Sequence, residues 1–162
     1  MTITQTKLKE HLIYYPESGI FRHKTSGRLI GGKITKNNRY LRVNIKEKVY
    51  PLHRLAFLYM EGYLPEAVDH IDRNVINNSW ENLRSCSLSQ NQANAGLRTD
   101  NASGVKGLSW NSKTEKFQAN VQNSGRQYTK TFTASQKIEA VLWLETTRKQ
   151  LHEGFANNGG VF

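Results

Sequence analysis

The chain has 162 residues, a formal charge of +10, 37% hydrophobic and 10% aromatic residues, and one cysteine. That length serves one medium domain or two small ones, able to bury roughly 70% of the unfolded surface. No apolar run is long enough to span a bilayer as a helix, and the single Cys86 excludes an internal disulfide.

The N-terminal MTITQTKLKE lacks the apolar stretch of a secretory signal, so a soluble protein in a reducing, intracellular setting is expected. Residues 1–100 hold 15 Lys or Arg against 9 Asp or Glu, and residues 101–162 hold 8 against 4. With positive charge in both halves, a polyanionic partner is favoured over a basic tail on a neutral body.

Over residues 1–52, short β-like runs from Gly19 to His23 and from Tyr40 to Tyr50 flank the turn-rich GRLIGGK and KNNRY. They predict a small antiparallel sheet, with Tyr14 and Tyr15 supplying core. After Pro51, Leu55, Leu58 and Tyr59 share one face of a helix predicted from His53 to Glu61 and ended by Gly62. His53 and Arg54 open that helix and are candidates for DNA contact or for capping.

The segment VDHIDRNVINNSWENLRSCSLSQNQAN, from Val68 to Asn94, carries the chemistry. Val68 to Ile71 and Leu83 to Cys86 predict two strands around an Asn-rich loop, in which Asn74, Asn77 and Asn78 read as turn formers. Cys86, in the second strand, reads as a small buried hydrophobe. Ser87 followed by Gln90 matches a capping box, and Gly96 suits a left-handed helix end. Asn91 and Asn94 would then share one face of a short helix. Asp69 offers oxygen to a hard divalent cation, Asn91 a second and uncharged oxygen, and His70 can take a proton from water near neutral pH. In a chain of this charge, the combination points to metal-assisted cleavage of a nucleic-acid phosphodiester.

The polar RTDNAS stretch marks a linker, residues 97–103. Beyond it, Val105 to Trp110, Lys116 to Gln122 and Arg126 to Phe132 predict three strands. A helix from Thr133 follows, opened by a Thr133 and Gln136 capping box. Ile138, Val141, Leu142 and Leu144 are expected to cover the sheet. Along the second strand Phe117, Ala119 and Val121 alternate with Lys116, Gln118, Asn120 and Gln122, giving a core face and a polar face. Lys106, Arg126, Tyr128 and Lys130 are expected to join that polar row as a DNA-binding surface.

Asp69-His70, then Asn82, then Asn91 resembles the HNH nuclease motif in the His-Asn-Asn form of phage and intron-encoded homing endonucleases. The resemblance covers residues 50–95, including the His53-Arg54-Leu55 helix start and Glu81-Asn82-Leu83. It implies a ββα-metal (His-Me finger) module, with His70 as general base, Asp69 and Asn91 as metal ligands and Asn82 fixing the loop and the orientation of His70. Asn94 would support Asn91. Asn91 stands where many relatives carry a second His, which favours one Mg²⁺ or Mn²⁺ per site over zinc. Residues 103–156, through SGVKGLSW, KFQANV, KTF and LHEGFA, resemble an APETALA-type (ethylene-response-factor-like) DNA-binding domain, with Gln127 and Thr129 polar at positions where that pattern points apolar residues inward.

The expected protein is α+β: a nuclease domain over residues 1–96 with an N-terminal antiparallel β segment and a ββα core about 66–96, then a three-stranded antiparallel sheet packed on one helix over 104–162. Its expected partner is double-stranded DNA, with no membrane, in the cytoplasm of a prokaryotic or phage-infected cell. No heptad seam is present, so a nicking monomer is favoured, a dimer being the route to cutting both strands. A noncatalytic DNA-binding regulator and an RNA-directed nuclease are the alternatives.

Overall fold

In the computed structural model, which describes residues 3–31, 39–97 and 99–157, Thr4 opens the first helix, α1 (Gln5–His11). Its hydroxyl accepts from Lys7 N at 3.3 Å. The sequence does not announce α1, because its seven residues bury only Leu8. Next, β1 (Leu12–Tyr15), β2 (Ile20–His23) and β3 (Leu29–Ile30) form an antiparallel sheet in that order. Tyr14 faces Phe21 across the ladder and stacks on it at 4.5 Å. Tyr15 does not join the core: strand alternation turns it outward, and it is 42% exposed.

The expected single N-terminal sheet is two. The run from Tyr40 to Tyr50 folds back on itself as β4 (Arg42–Ile45) and β5 (Lys48–Pro51), a separate antiparallel pair. Lys46 and Glu47 make the turn, both with left-handed φ of 48° and 66°. Residues 32–38, which take in the end of GRLIGGK and the start of KNNRY, lie outside the described residues.

Helix α2 (Leu52–Glu61) follows, burying Leu52, Leu55, Ala56 and Leu58 and ending at Gly62, whose φ is 82°. Then β6 (Ala67–His70) pairs antiparallel with β7 (Leu83–Cys86). All four residues of β6 are buried, the polar Asp69 and His70 as well as Ala67 and Val68. Cys86 is buried as expected, and burial pushes its thiol up to about 11.

The chain separates into two compact units, Met1–Ser87 and Leu88–Phe162, so the division falls before α3 (Leu88–Asn94) rather than at the expected 97–103 linker. The reason is local bonding. Lys106 Nζ donates to the Ala93 and Ala95 carbonyls, Ser124 N donates to Ser89 Oγ, and Asn157 Nδ2 donates to Asn94 O. Gly96 is not left-handed; the helix ends with Ala95 N donating to Gln92 O.

In the second unit β8 (Leu108–Asn111), β9 (Lys116–Asn123) and β10 (Arg126–Thr133) form one antiparallel sheet with β9 central. Thr133 and Gln136 make the expected capping box ahead of α4 (Lys137–His152). Ala140 and Leu144 of α4 pack with Leu108, Ala119, Val121 and Phe132. Two of the residues expected there are outside: Ile138 is 74% and Leu142 56% exposed. The small Ala140 lets the helix approach the sheet along a narrower stripe than the apolar spelling implies.

One glycine positions the loop that follows β6. Gly19, with φ 69°, turns β1 into β2, and a Cβ there would lie 2.2 Å from the Asn78 carbonyl carbon. Gly19→Ala is therefore expected to cost about 2 kcal/mol or more in urea denaturation, from backbone strain and overpacking together. Wild-type stability in that variant would show that the turn does not press on the loop.

Candidate active site

Asp69 and His70 are adjacent on β6, each 4% exposed. Register decides their partners. Asp69 lies opposite Arg84 on β7, and the guanidinium donates from Nε at 2.8 Å and from Nη2 at 2.7 Å, both to Asp69 Oδ2. Arg84 thus holds the carboxylate in one orientation. The sequence contains this pair implicitly, since aligning the two strands so that His70 meets Leu83 brings Asp69 to Arg84.

The imidazole is met from the loop. His70 Nε2 lies 3.1 Å from Asn78 Oδ1, and Asn78 is 1% exposed. The loop itself is tied by Asn82, whose Oδ1 accepts from Asp72 N at 2.9 Å and whose Nδ2 donates to Asp72 Oδ1 and to Asn77 O. Asn82 is thus bonded to the loop, while Asn78, which the sequence reading takes for a turn former, is bonded to His70. No sequence signal separates Asn78 from Asn74 and Asn77; only burial does.

Asp72 is the loop's acceptor hub, receiving Asn74 N at 2.8 Å and Asn77 Nδ2 at 2.7 Å besides Asn82. Burial opposes ionisation there, but these hydrogen bonds outweigh it and the carboxyl sits below its ordinary value. Burial also lowers the His70 pKa from its ordinary 6.5, against the opposing pull of Asn78, Asp72 and Asp69.

His53 is not a surface contact. It is 6% exposed, its ring 4.5 Å from Tyr40 and 5.3 Å from His70, and burial, then the neighbouring His70, Arg54 and Arg42, pushes it down to about 3. Tyr40 lies nearly parallel to His70 at 6.2 Å and has no local sequence signal to mark it. Arg54 turns inward, donating to Pro65 O at 3.0 Å, with Nε buried and without a partner among the described residues.

Asn91 lies half-buried on α3 of the second unit, three residues before the buried Asn94. Among the described residues no three His, Cys, Asp or Glu side chains gather as a metal site. The donor chemistry beside His70 is a carboxylate, which suits a hard cation that keeps much of its water.

In the second unit, strand register corrects the polar face. Residues directly opposite share a face, and Tyr128 pairs with Val121, Lys130 with Ala119 and Arg126 with Asn123. Those three side chains therefore belong to the face covered by α4, with Arg126 over the Tyr128 ring and Lys130 over Phe132. Gln127 and Thr129 point the other way instead, both donating to Asn120 Oδ1, at 3.0 and 2.7 Å. Lys106 is engaged in capping α3. The polar face is Lys116, Gln118, Asn120 and Gln122 with Gln127, Thr129 and Thr131: amides and hydroxyls around one cation.

Compared with known families, residues 50–93 match the HNH endonuclease family. Over 97 residues the chain is 37% identical to Protein 3.8 of Escherichia phage T7, an overlap of 59% of this chain and 78% of that protein. No solved structure matches. The APETALA-type resemblance of residues 103–156 gains no support from these matches.

The buried His53 makes stability depend on acid. The unfolded chain binds its proton below about pH 6.5 and the folded chain only near 3, so stability is complete above 6.5 and lost as pH falls between those values. The expected slope from His53 is at most about 1.4 kcal/mol per pH unit. Urea denaturation from pH 7 to 4 checks this: His53→Leu should flatten the acid loss, and an unchanged slope would contradict the assignment.

Proposed function

The chain belongs to the HNH endonuclease family, and from that premise we propose that it is a metal-dependent endonuclease of the homing type that hydrolyses DNA phosphodiester bonds, nicking as a monomer. The observation that carries the reading is the buried Asp69-His70 pair, whose carboxylate is aimed by Arg84 and whose imidazole is bonded by Asn78. A water-poor setting strengthens each of these polar contacts and makes their geometry persistent.

In this proposal the β6–β7 hairpin is the strand pair of a ββα-metal module. His70, unprotonated at neutral pH, accepts the proton of the attacking water, and Asn82 keeps the loop closed beside it. Asp69 and, on the resemblance, Asn91 would hold one Mg²⁺ or Mn²⁺. Bound there, the cation would supply fixed positive charge against the scissile phosphate and the departing 3′ oxygen. Arg84 contributes by fixing which oxygen Asp69 presents.

The polar sheet face of the second unit is proposed to bind duplex DNA through Lys116, Gln118, Asn120 and Gln122 with Thr129, Thr131 and Gln127. Amides and hydroxyls suit base edges, and phosphate attraction falls to the spread of positive charge along the chain. No helix among the described residues is long and apolar enough to cross a membrane. The proposed setting is the cytoplasm of a phage-infected or other prokaryotic cell.

Supercoiled plasmid provides the test. With Mg²⁺ or Mn²⁺ the protein should yield open circles, EDTA should abolish this, and His70→Ala should slow it by at least about a hundredfold. Because burial holds the His70 pKa down, the imidazole stays unprotonated through neutrality, and the acid limb of the rate should fall below pH 6.5. Binding without cleavage, full activity in His70→Ala, or preference for structured RNA at matched salt would each overturn the reading.

A further inference from the structure

Asn78 has a role that its place in an Asn-rich loop conceals. We propose that Asn78 is the positioning residue that selects the working tautomer of His70, and that the β1–β2 hairpin, outside the matched segment 50–93, is the brace that sets Asn78. The proposal rests on the reading of His70 as the general base.

An amide oxygen has no proton to give, so the 3.1 Å contact between Asn78 Oδ1 and His70 Nε2 is a hydrogen bond only if Nε2 carries the hydrogen. A neutral imidazole has one N–H, and the basic lone pair then belongs to Nδ1. When Nδ1 takes a proton from water, Nε2 keeps its own. The same bond therefore serves imidazole and imidazolium, and Asn78 need not move during the transfer.

The brace is explicit. The Tyr14 hydroxyl donates to the Asn78 carbonyl at 2.7 Å, across 64 residues of chain. Trp80 N donates to Pro16 O at 2.8 Å, and the Gly19 turn lies so close to the Asn78–Ser79 peptide that no side chain fits between them. Asn78 N donates to Ile76 O, closing the loop from its own side.

Packing alone does not account for an amide here. Asn78 Nδ2 is buried without a hydrogen-bond partner among the described residues, and an unsatisfied buried N–H opposes folding. An apolar residue of similar size would suit the interior better. What it could not do is accept from Nε2.

The test uses the full chain labelled with ¹⁵N-histidine and read by long-range ¹H–¹⁵N correlation at pH 7.5, without metal or DNA. Wild type should show His70 as the Nε2–H tautomer. Asn78→Leu should show a tautomer mixture and lower kcat for plasmid nicking tenfold to a hundredfold at unchanged KM. Asn78→Asp, which keeps an acceptor, should restore the Nε2–H signal and most of the rate. Should Asn78→Leu not fold, Tyr14→Phe, which removes only the hydroxyl from the brace, should lower kcat severalfold. An Nδ1–H tautomer in wild type, or wild-type spectra and kcat in both Asn78→Leu and Tyr14→Phe, would overturn the proposal. A His70→Ala protein as active as wild type would instead remove the nuclease reading beneath it, whereas an inactive His70→Ala beside an unaffected Asn78→Leu would remove only the role of Asn78.

Discussion

A carboxylate and an imidazole buried side by side on one strand must both be met by polar partners, and most of the first unit can be understood as meeting them. Asp69 and His70 are each 4% exposed. Charged and polar groups taken out of water at that depth are strongly unfavourable unless their hydrogen bonds are replaced. Arg84 answers Asp69 from the neighbouring strand, which requires the register His70 to Leu83 and no other. Asn78 answers His70 from the loop, which requires that the loop fold inward at that residue. The inward fold in turn rests on the Asp72–Asn82 ties and on a glycine at position 19.

This chain of requirements explains which parts of the molecule were legible in the sequence. The strands at 67–70 and 83–86 and the helix ending at Gly62 are spelled by local pattern and turn chemistry, and they form close to where that pattern places them. The Thr133 and Gln136 capping box is likewise a short-range signal. Asn78, Arg84 and Tyr40 are placed beside the site by pairing and packing across the chain, for which no single window carries a mark. The N-terminal β runs were legible, but the split of Tyr40 to Tyr50 into β4 and β5 was not, because Lys46 and Glu47 form a tight left-handed turn without glycine or proline to announce it.

The parity of β10 shows how far one residue matters. A strand alternates faces with period two, so a slip of one position exchanges every side chain between core and solvent. The alternation of Tyr128, Lys130 and Phe132 could be read in either sense until the pairing with Val121, Ala119 and Phe117 was known. The resulting outer face is richer in amides and hydroxyls than in cations. A surface of that kind favours discrimination among base edges over sheer attraction to phosphate.

In the proposed function the two units carry different chemistry: the first buries and aims Asp69 and His70, and the sheet of the second presents mostly neutral donors and acceptors. The most direct measurement is a crystal structure of the chain bound to duplex DNA in the presence of Mg²⁺ or Ca²⁺. The account predicts a cation on the Asp69 carboxylate, a backbone phosphate beside it, and His70 Nδ1 facing the water in line with that phosphate while Nε2 stays on Asn78. DNA lying away from β6, with no cation at Asp69, would contradict it.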